Sequence, residues 1–261
     1  MMVMTPVVRA LIILNVLIFV LTSKSVIEQF GLHSFFSDQF RPFQFLTHMF
    51  LHAGLGHILG NMFGLLVFGP MLERVWGPAR FLVFYMICGL GAALLYLGVN
   101  YYEMSRVLEL VQNYRANPTP DGFWGLIEAH ASSAYDQLAG FIDSYKANPG
   151  STQLQQDSVR FVNAFWERYR DIEGPMVGAS GAIFGVIMAF GLLFPNTELF
   201  LLFPPIPIKA KYLVLFYGAF ELYSTINQAP TDNVAHFAHL GGMLFAFILV
   251  KLWGSQRKTF Y

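Results

Sequence analysis

The 261 residues are 55% apolar and 16% aromatic, with only 12% charged side chains, zero net charge and a mean hydropathy of +0.50. Soluble domains average about 25% charged residues, so the composition excludes an ordinary water-soluble domain and reads as a polytopic membrane protein. A balanced charge offers no basic field for a nucleic-acid partner, and the single Cys88 provides neither a disulfide framework nor a thiolate metal site.

A membrane-spanning helix takes roughly 20 mostly apolar residues, and six segments read as spans. The first covers residues 6–23. Arg9 precedes its apolar core as in a secretory signal, but no small-x-small cleavage pattern follows and further spans come after it, so it reads as a retained helix. The connection after it holds His48 and His52, four apart. They are conceivable metal ligands, yet no HExxH pattern or carboxylate accompanies them, and hydrogen bonding within the loop is the plainer expectation. No metal or other cofactor is expected.

The second span, 55–72, carries His57 and Asn61 four residues apart, hence on one helix face. Two donors on one face could point at a single oxygen, or could simply bond to a neighbouring helix. The third span covers 79–101.

Residues 102–176 have a different character. Ten acidic and six basic side chains fall in 102–173. Apolar residues recur at helical spacing in Val107, Leu108, Val111 and Tyr114, and again in Phe161, Val162, Phe165, Trp166 and Tyr169. Turn signals at 117–122 and 148–150 divide the segment into about three helices. It reads as a small amphipathic helical lobe, which is a spacer or lies at the lipid headgroups, or else has a role in substrate access.

The fourth span, 177–194, opens on Gly178-Ala179-Ser180-Gly181. A helix start leaves its first N–H groups without internal partners and carries the positive end of the dipole, so a hydroxyl there sits beside ready oxyanion donors. Gly178, Gly181 and Gly185 could equally form a close-packing stripe with Ser180 as another small residue. The run 203–207, rich in proline, reads as an irregular connection.

The fifth span, 210–228, contains Glu221, expected to be protonated or hydrogen-bonded to a neighbouring helix rather than catalytic. Its Phe216, Tyr217 and Phe220 make it a candidate lateral gate. The sixth span, 234–252, holds His236 and, in Ala238-His239-Leu240-Gly241-Gly242, His239. An imidazole and a hydroxyl in apolar segments call for a functional explanation by default. A serine becomes a nucleophile when a base takes its proton. Depth matching by helix rise puts Ser180, His239, His57 and Asn61 near one end of their spans.

These motifs, in this order, resemble the rhomboid family of intramembrane serine proteases. The resemblance covers residues 6–99 and 175–253 and leaves the insert outside it. It implies an all-α membrane protein, a six-transmembrane-helix rhomboid-like bundle within one membrane domain over 1–261, to which the sequence adds the helical insert 102–176 between the third and fourth spans, extracytoplasmic under the charge-based topology. It implies a serine endopeptidase that cleaves transmembrane-segment substrates near the outer membrane boundary with a Ser–His dyad and no carboxylate third member. Ser180 would be the nucleophile and His239 the base. His57, Asn61 and the Ser180 backbone N–H would form the oxyanion hole. Phe184 looks like the aromatic residue that packs on the imidazole, and Gly178 and Gly242 support the two motifs. His236 would neighbour the oxyanion or support the substrate. Where the family often has a Trp-Arg pair in the first external loop, this chain has Phe43-Gln44, and the last small residue of the sixth-span pattern is Ala246. The alternative is a catalytically silent relative that binds transmembrane clients. A transporter would carry polar residues through the whole membrane thickness, often in repeated halves.

The partners implied are transmembrane protein substrates and the lipid bilayer. Arg9, Arg74, Arg80, Lys209, Lys211, Lys251, Arg257 and Lys258 fall on one side of the six-span plan, against Lys24 and Arg41 on the other, so the positive-inside rule puts both termini in the cytoplasm. The compact plan and the lack of a removable targeting extension point to a bacterial plasma membrane.

Overall fold

The computed structural model describes residues 4–172, 174–200, 206–227 and 234–255. The chain divides into two compact units. One takes in residues 1–33, 39–99 and 175–261, and the other residues 34–38 and 100–174.

The first unit begins with α1 (Pro6–Leu21), α2 (Lys24–Phe30) and α3 (Gln44–Thr47), followed by α4 (Leu55–Trp76) and the first part of α5 (Pro78–Ala116). Gly77 at φ +78° closes α4, donating its N–H to Glu73 O at 2.8 Å. Only glycine takes that conformation cheaply, and Pro78 then starts α5 where its missing N–H costs nothing. Glu73 is buried at this end of the unit. Its carboxylate accepts from Thr5 Oγ1 at 2.5 Å and from Val7 N and Val8 N at 2.9 Å each. A carboxylate from α4 thus caps the positive end of α1.

After the second unit the chain returns through α9 (Ser180–Leu193), α10 (Ala210–Ile226) and α11 (His236–Ser255). Between α9 and α10, β1 (Glu198–Phe200) pairs antiparallel with β2 (Pro207–Lys209), Leu199 opposite Ile208. The connection expected to be irregular over 203–207 therefore ends in a strand at Pro207. Residues 203–205 lie outside the described residues.

α9 is apolar all round and buried nearly all round, from Gly181 and Ala182 to Phe190 and Gly191. A helix of that pattern belongs at the centre. Around it pack Ile58 and Leu65 of α4, Phe84, Tyr85 and Cys88 of α5, and Ala246 of α11. Gly242 meets α9 so closely that a Cβ there would lie 1.8 Å from Gly181 O. α1 and α10 instead present apolar side chains outward, among them Leu17, Val20, Leu215 and Phe216. Large exposed apolar faces mark a surface made for lipid or protein.

Helices occupy all six places read as spans. By length and composition, three are long and apolar enough to cross a membrane: Leu55–Trp76, Pro78–Ala116 and His236–Gly254. Pro6–Leu21 and Ser180–Leu193 are shorter apolar helices. The third helix does not stop near 101 but continues unbroken to Ala116.

The second unit holds the end of α5 with α6 (Pro120–His130), α7 (Tyr135–Ala147) and α8 (Thr152–Tyr169). Thr119 Oγ1 accepts from Gly122 N at 3.1 Å and Ser151 Oγ from Leu154 N at 3.4 Å, capping α6 and α8. Val111, Tyr114, Phe123, Tyr145, Val162 and Trp166 form a core of its own. Tyr145 donates to Pro118 O at 2.9 Å, and Arg170 pairs with Asp38 at 2.5 Å. This insert is a packed helical lobe with its own core.

Candidate active site

The stretch before α9 is irregular and pinned to the first connection. Leu32 and Met176 exchange both backbone hydrogen bonds at 2.9 Å, and Gly178 N donates to His48 O at 2.9 Å. Gly178 has φ +129°, a conformation that L side chains rarely adopt. A Cβ there would also meet His57 Nε2 at 2.6 Å and Ser180 Oγ at 3.5 Å. Gly178 is therefore the point where the His57 ring and the Ser180 hydroxyl converge.

Ser180 is the first residue of α9, so the N–H groups of its turn face outward from the helix with the positive end of the dipole behind them. Its Oγ lies 2.9 Å from His239 Nε2. The Phe184 ring, one turn along α9, stacks on His239 with centroids 4.1 Å apart and planes at 10°. Tyr217 of α10 meets Phe184 edge-on at 5.9 Å. Of the three aromatics read as a gate, Tyr217 thus turns inward, while Phe216 and Phe220 point out, 63% and 50% exposed.

The other side of His239 holds what sequence reasoning set aside. Glu221 Oε2 lies 2.6 Å from His236 Nδ1, and Glu221 Oε1 lies 3.0 Å from His239 Nδ1. The first contact is a hydrogen bond. The second is close but off the line of a straight one, so it is electrostatic before it is directional. Glu221, His236 and His239 are all buried. His236 engages the carboxylate through its Nδ1. Glu221 is hydrogen-bonded to a neighbouring helix, and that helix carries the histidine that meets Ser180. The signal was present as His236 and His239, three apart on one face of α11, with an acid in the preceding span.

These three side chains are also the group, among the described residues, whose ligand atoms converge within 4.8 Å as a cation site would require. Within the group the 2.6 Å contact of His236 Nδ1 with Glu221 is a hydrogen bond, and the 3.0 Å contact of His239 Nδ1 with Glu221 is electrostatic.

His57 and Asn61 lie one turn apart on α4. The pairing of α4 with α9 is close here: a Cβ on Gly64 would meet Ile183 Cγ2 at 3.0 Å. Asn61 is buried, and its Nδ2 has no hydrogen-bond partner among the described residues. A buried amide donor left unpaired costs roughly 1–3 kcal/mol, and an oxygen placed beside it would recover that. The His52 ring packs edge-on against His57 at 5.0 Å and 69°.

The first connection is organised by Gln44, fully buried, where the family's Trp-Arg pair would stand. Its Nε2 donates to Gln29 O at 3.1 Å and Gln39 O at 3.0 Å, and its Oε1 accepts from Arg41 N at 3.0 Å. His48 Nδ1 donates to Gln44 O at 2.9 Å. Burial holds His48 down to about 4, against the pull of that bond, and holds His52 at about 4 with the charge of His57 acting the same way. Both rings are neutral near pH 7; the expected hydrogen bond within the loop is present for His48, whereas both ring nitrogens of His52 are buried without a hydrogen-bond partner among the described residues.

Comparison with known proteins agrees with the motifs. The model of the Rhomboid domain matches residues 39–108 and 153–256. The match reaches further into the insert than the motif resemblance did, leaving 109–152 unmatched. The chain is 26% identical to RHOMBOID-like protein 12, mitochondrial, of Arabidopsis thaliana over 97% of its length and 59% of that protein's. It is 25% identical to an uncharacterized rhomboid protein, P4H10.10, mitochondrial, of Schizosaccharomyces pombe, over 83% of this chain and 52% of the other. A 45-residue stretch, 17% of the chain and 23% of its relative, is 44% identical to the putative rhomboid protease YdcA of Bacillus subtilis. The chain spans between about half and three-fifths of the length of the first two relatives.

Proposed function

This chain belongs to the rhomboid family, and on that premise we propose that it is an intramembrane serine endopeptidase that cleaves transmembrane-segment substrates near the outer membrane boundary. The observation that carries the reading is the 2.9 Å approach of Ser180 Oγ to His239 Nε2. That distance suits direct transfer of the hydroxyl proton to the ring.

In the proposed reaction the Ser180 O–H bond breaks as Oγ bonds to the scissile carbonyl carbon, and the proton goes to His239 Nε2. The carbonyl π pair moves onto its oxygen, which Asn61 Nδ2, His57 and the Ser180 N–H hold. Asn61 supports this role by bringing a buried, unsatisfied donor. When the tetrahedral intermediate collapses, Nε2–H returns the proton to the leaving amine, and water then hydrolyses the acyl-enzyme by the same steps.

Six spans with both termini cytoplasmic and the helical lobe outside are part of the proposal. α9 has 14 residues, about 21 Å at 1.5 Å per residue against a hydrocarbon core of about 30 Å. Its N-terminus would thus lie below the membrane surface, and the irregular Gly174–Ala179 backbone would line a cavity open to water, the setting in which such backbone is tolerated at depth. The relatives do not support a bacterial plasma membrane over an organellar one, since four are named as mitochondrial.

A fluorophosphonate probe tests the assignment. It is expected to label the native chain at Ser180 and to leave the His239→Ala variant unlabelled. Labelling that persists in Ser180→Ala would reject the assigned nucleophile.

A further inference from the structure

We propose that Glu221 is a positioning residue that completes a Ser180–His239–Glu221 relay, with His236 anchoring the carboxylate; this deepens the peptidase reading and rests on it. The dyad implied by family resemblance leaves Nδ1 of its histidine without a carboxylate partner. Here His239 has its two ring nitrogens between two different side chains: Nε2 lies 2.9 Å from Ser180 Oγ and Nδ1 lies 3.0 Å from Glu221 Oε1.

The tautomer follows from that placement. A neutral imidazole has one donor and one acceptor nitrogen, and the nitrogen facing a carboxylate keeps the proton. Nδ1–H toward Glu221 leaves Nε2 as the acceptor, the state needed to take the Ser180 proton. The opposite tautomer would present an N–H to the hydroxyl and stop the reaction. Once the proton arrives, the imidazolium faces the carboxylate in a buried site, where an opposite charge is worth more than in water. Glu221 stays ionised throughout and exchanges no proton with substrate.

A buried carboxylate needs its charge answered. His236 supplies that answer by donating Nδ1–H to Oε2 at 2.6 Å, which fixes the carboxylate plane so that Oε1 is presented to His239. Phe184 stacked on the opposite face of His239 confines the ring, and the carboxylate then fixes its rotation within that plane.

The test uses the full chain in liposomes with a fluorescent transmembrane-segment reporter, comparing wild type with Glu221→Gln and Glu221→Asp. Glu221→Gln is expected to lower kcat by roughly 100-fold or more with KM changed less than about two-fold, as loss of a tautomer-fixing carboxylate does. Glu221→Asp recovers part of the rate. In ¹⁵N spectra of the wild type, His239 is expected as the Nδ1–H tautomer, a preference lost in Glu221→Gln. A Glu221→Gln kcat within about two-fold of wild type, or a wild-type His239 in the Nε2–H tautomer, overturns the proposal; the latter holds even where the Gln variant does not fold. A wild type that never cleaves the reporter rejects the peptidase reading instead, and the tautomer measurement then reports on Glu221 by itself.

Discussion

The Phe184 ring lies flat on the His239 ring, centroids 4.1 Å apart and planes within 10°. A stack this close removes one rotational freedom from an imidazole that must hold Nε2 toward Ser180. Phe184→Ala is expected to lower kcat by about 10- to 100-fold, since a misplacement near 1 Å can cost about 100-fold, with KM little changed. Phe184→Tyr keeps the stack and should stay near the wild-type rate. Steady-state cleavage kinetics on both variants decide it.

Asn61 separates catalysis from stability. Its Nδ2 is buried without a partner among the described residues, so truncation removes an unsatisfied donor from the resting protein while depriving the transition state of one. Asn61→Ala should reduce kcat by about 100- to 1000-fold with a thermal midpoint equal to or above wild type. A variant that lost activity only because it unfolded would show a lowered midpoint.

Gly242 sets the approach of α11 to α9. A methyl group there would sit 1.8 Å from Gly181 O, a backbone atom that cannot swing aside. Gly242→Ala should destabilise the fold by roughly 1–3 kcal/mol and, by pushing His239 from Ser180, abolish labelling at Ser180. Gly254→Ala, where a Cβ meets nothing within 4 Å, should do neither. Thermal midpoints and labelling read together give both answers.

His48 and His52 tie stability to pH. Both titrate near 4 in the folded chain, below their ordinary 6.5. The unfolded chain therefore binds more protons between those values, and stability rises with pH across the window. Their contribution is complete above about 6.5 and is lost as pH falls toward about 4, on the order of 3 kcal/mol for each ring at 1.36 kcal/mol per pH unit. Unfolding in detergent should become easier over that range, and His52→Gln should show a shallower slope.

Hydropathy was enough to locate six helices, because a run of apolar side chains is a local property and each helix satisfies its own backbone. Boundaries set by solvent rather than backbone were harder. Asn100 to Glu103 turn polar, which reads as a span ending, yet nothing there breaks a helix and α5 runs on to Ala116. The break at Ala131–Ala134 was missed for the opposite reason, since it contains neither Gly nor Pro. Ser180, His239, His57 and Asn61 were legible through dense motifs. Glu221 was not, because its meaning lies in two histidines 15 and 18 residues along the chain, brought to it by the packing of α10 on α11. Gln44 was opaque likewise: its partners Gln29 and Gln39 are backbone carbonyls, which no side-chain pattern announces.

Transfer of the Ser180 proton to His239 is tested by cleavage of a transmembrane-segment reporter by the purified chain in liposomes. Wild type is expected to cleave it, and Ser180→Ala and His239→Ala, both folded, to show no cleavage above background. Undiminished cleavage by either variant would contradict that transfer.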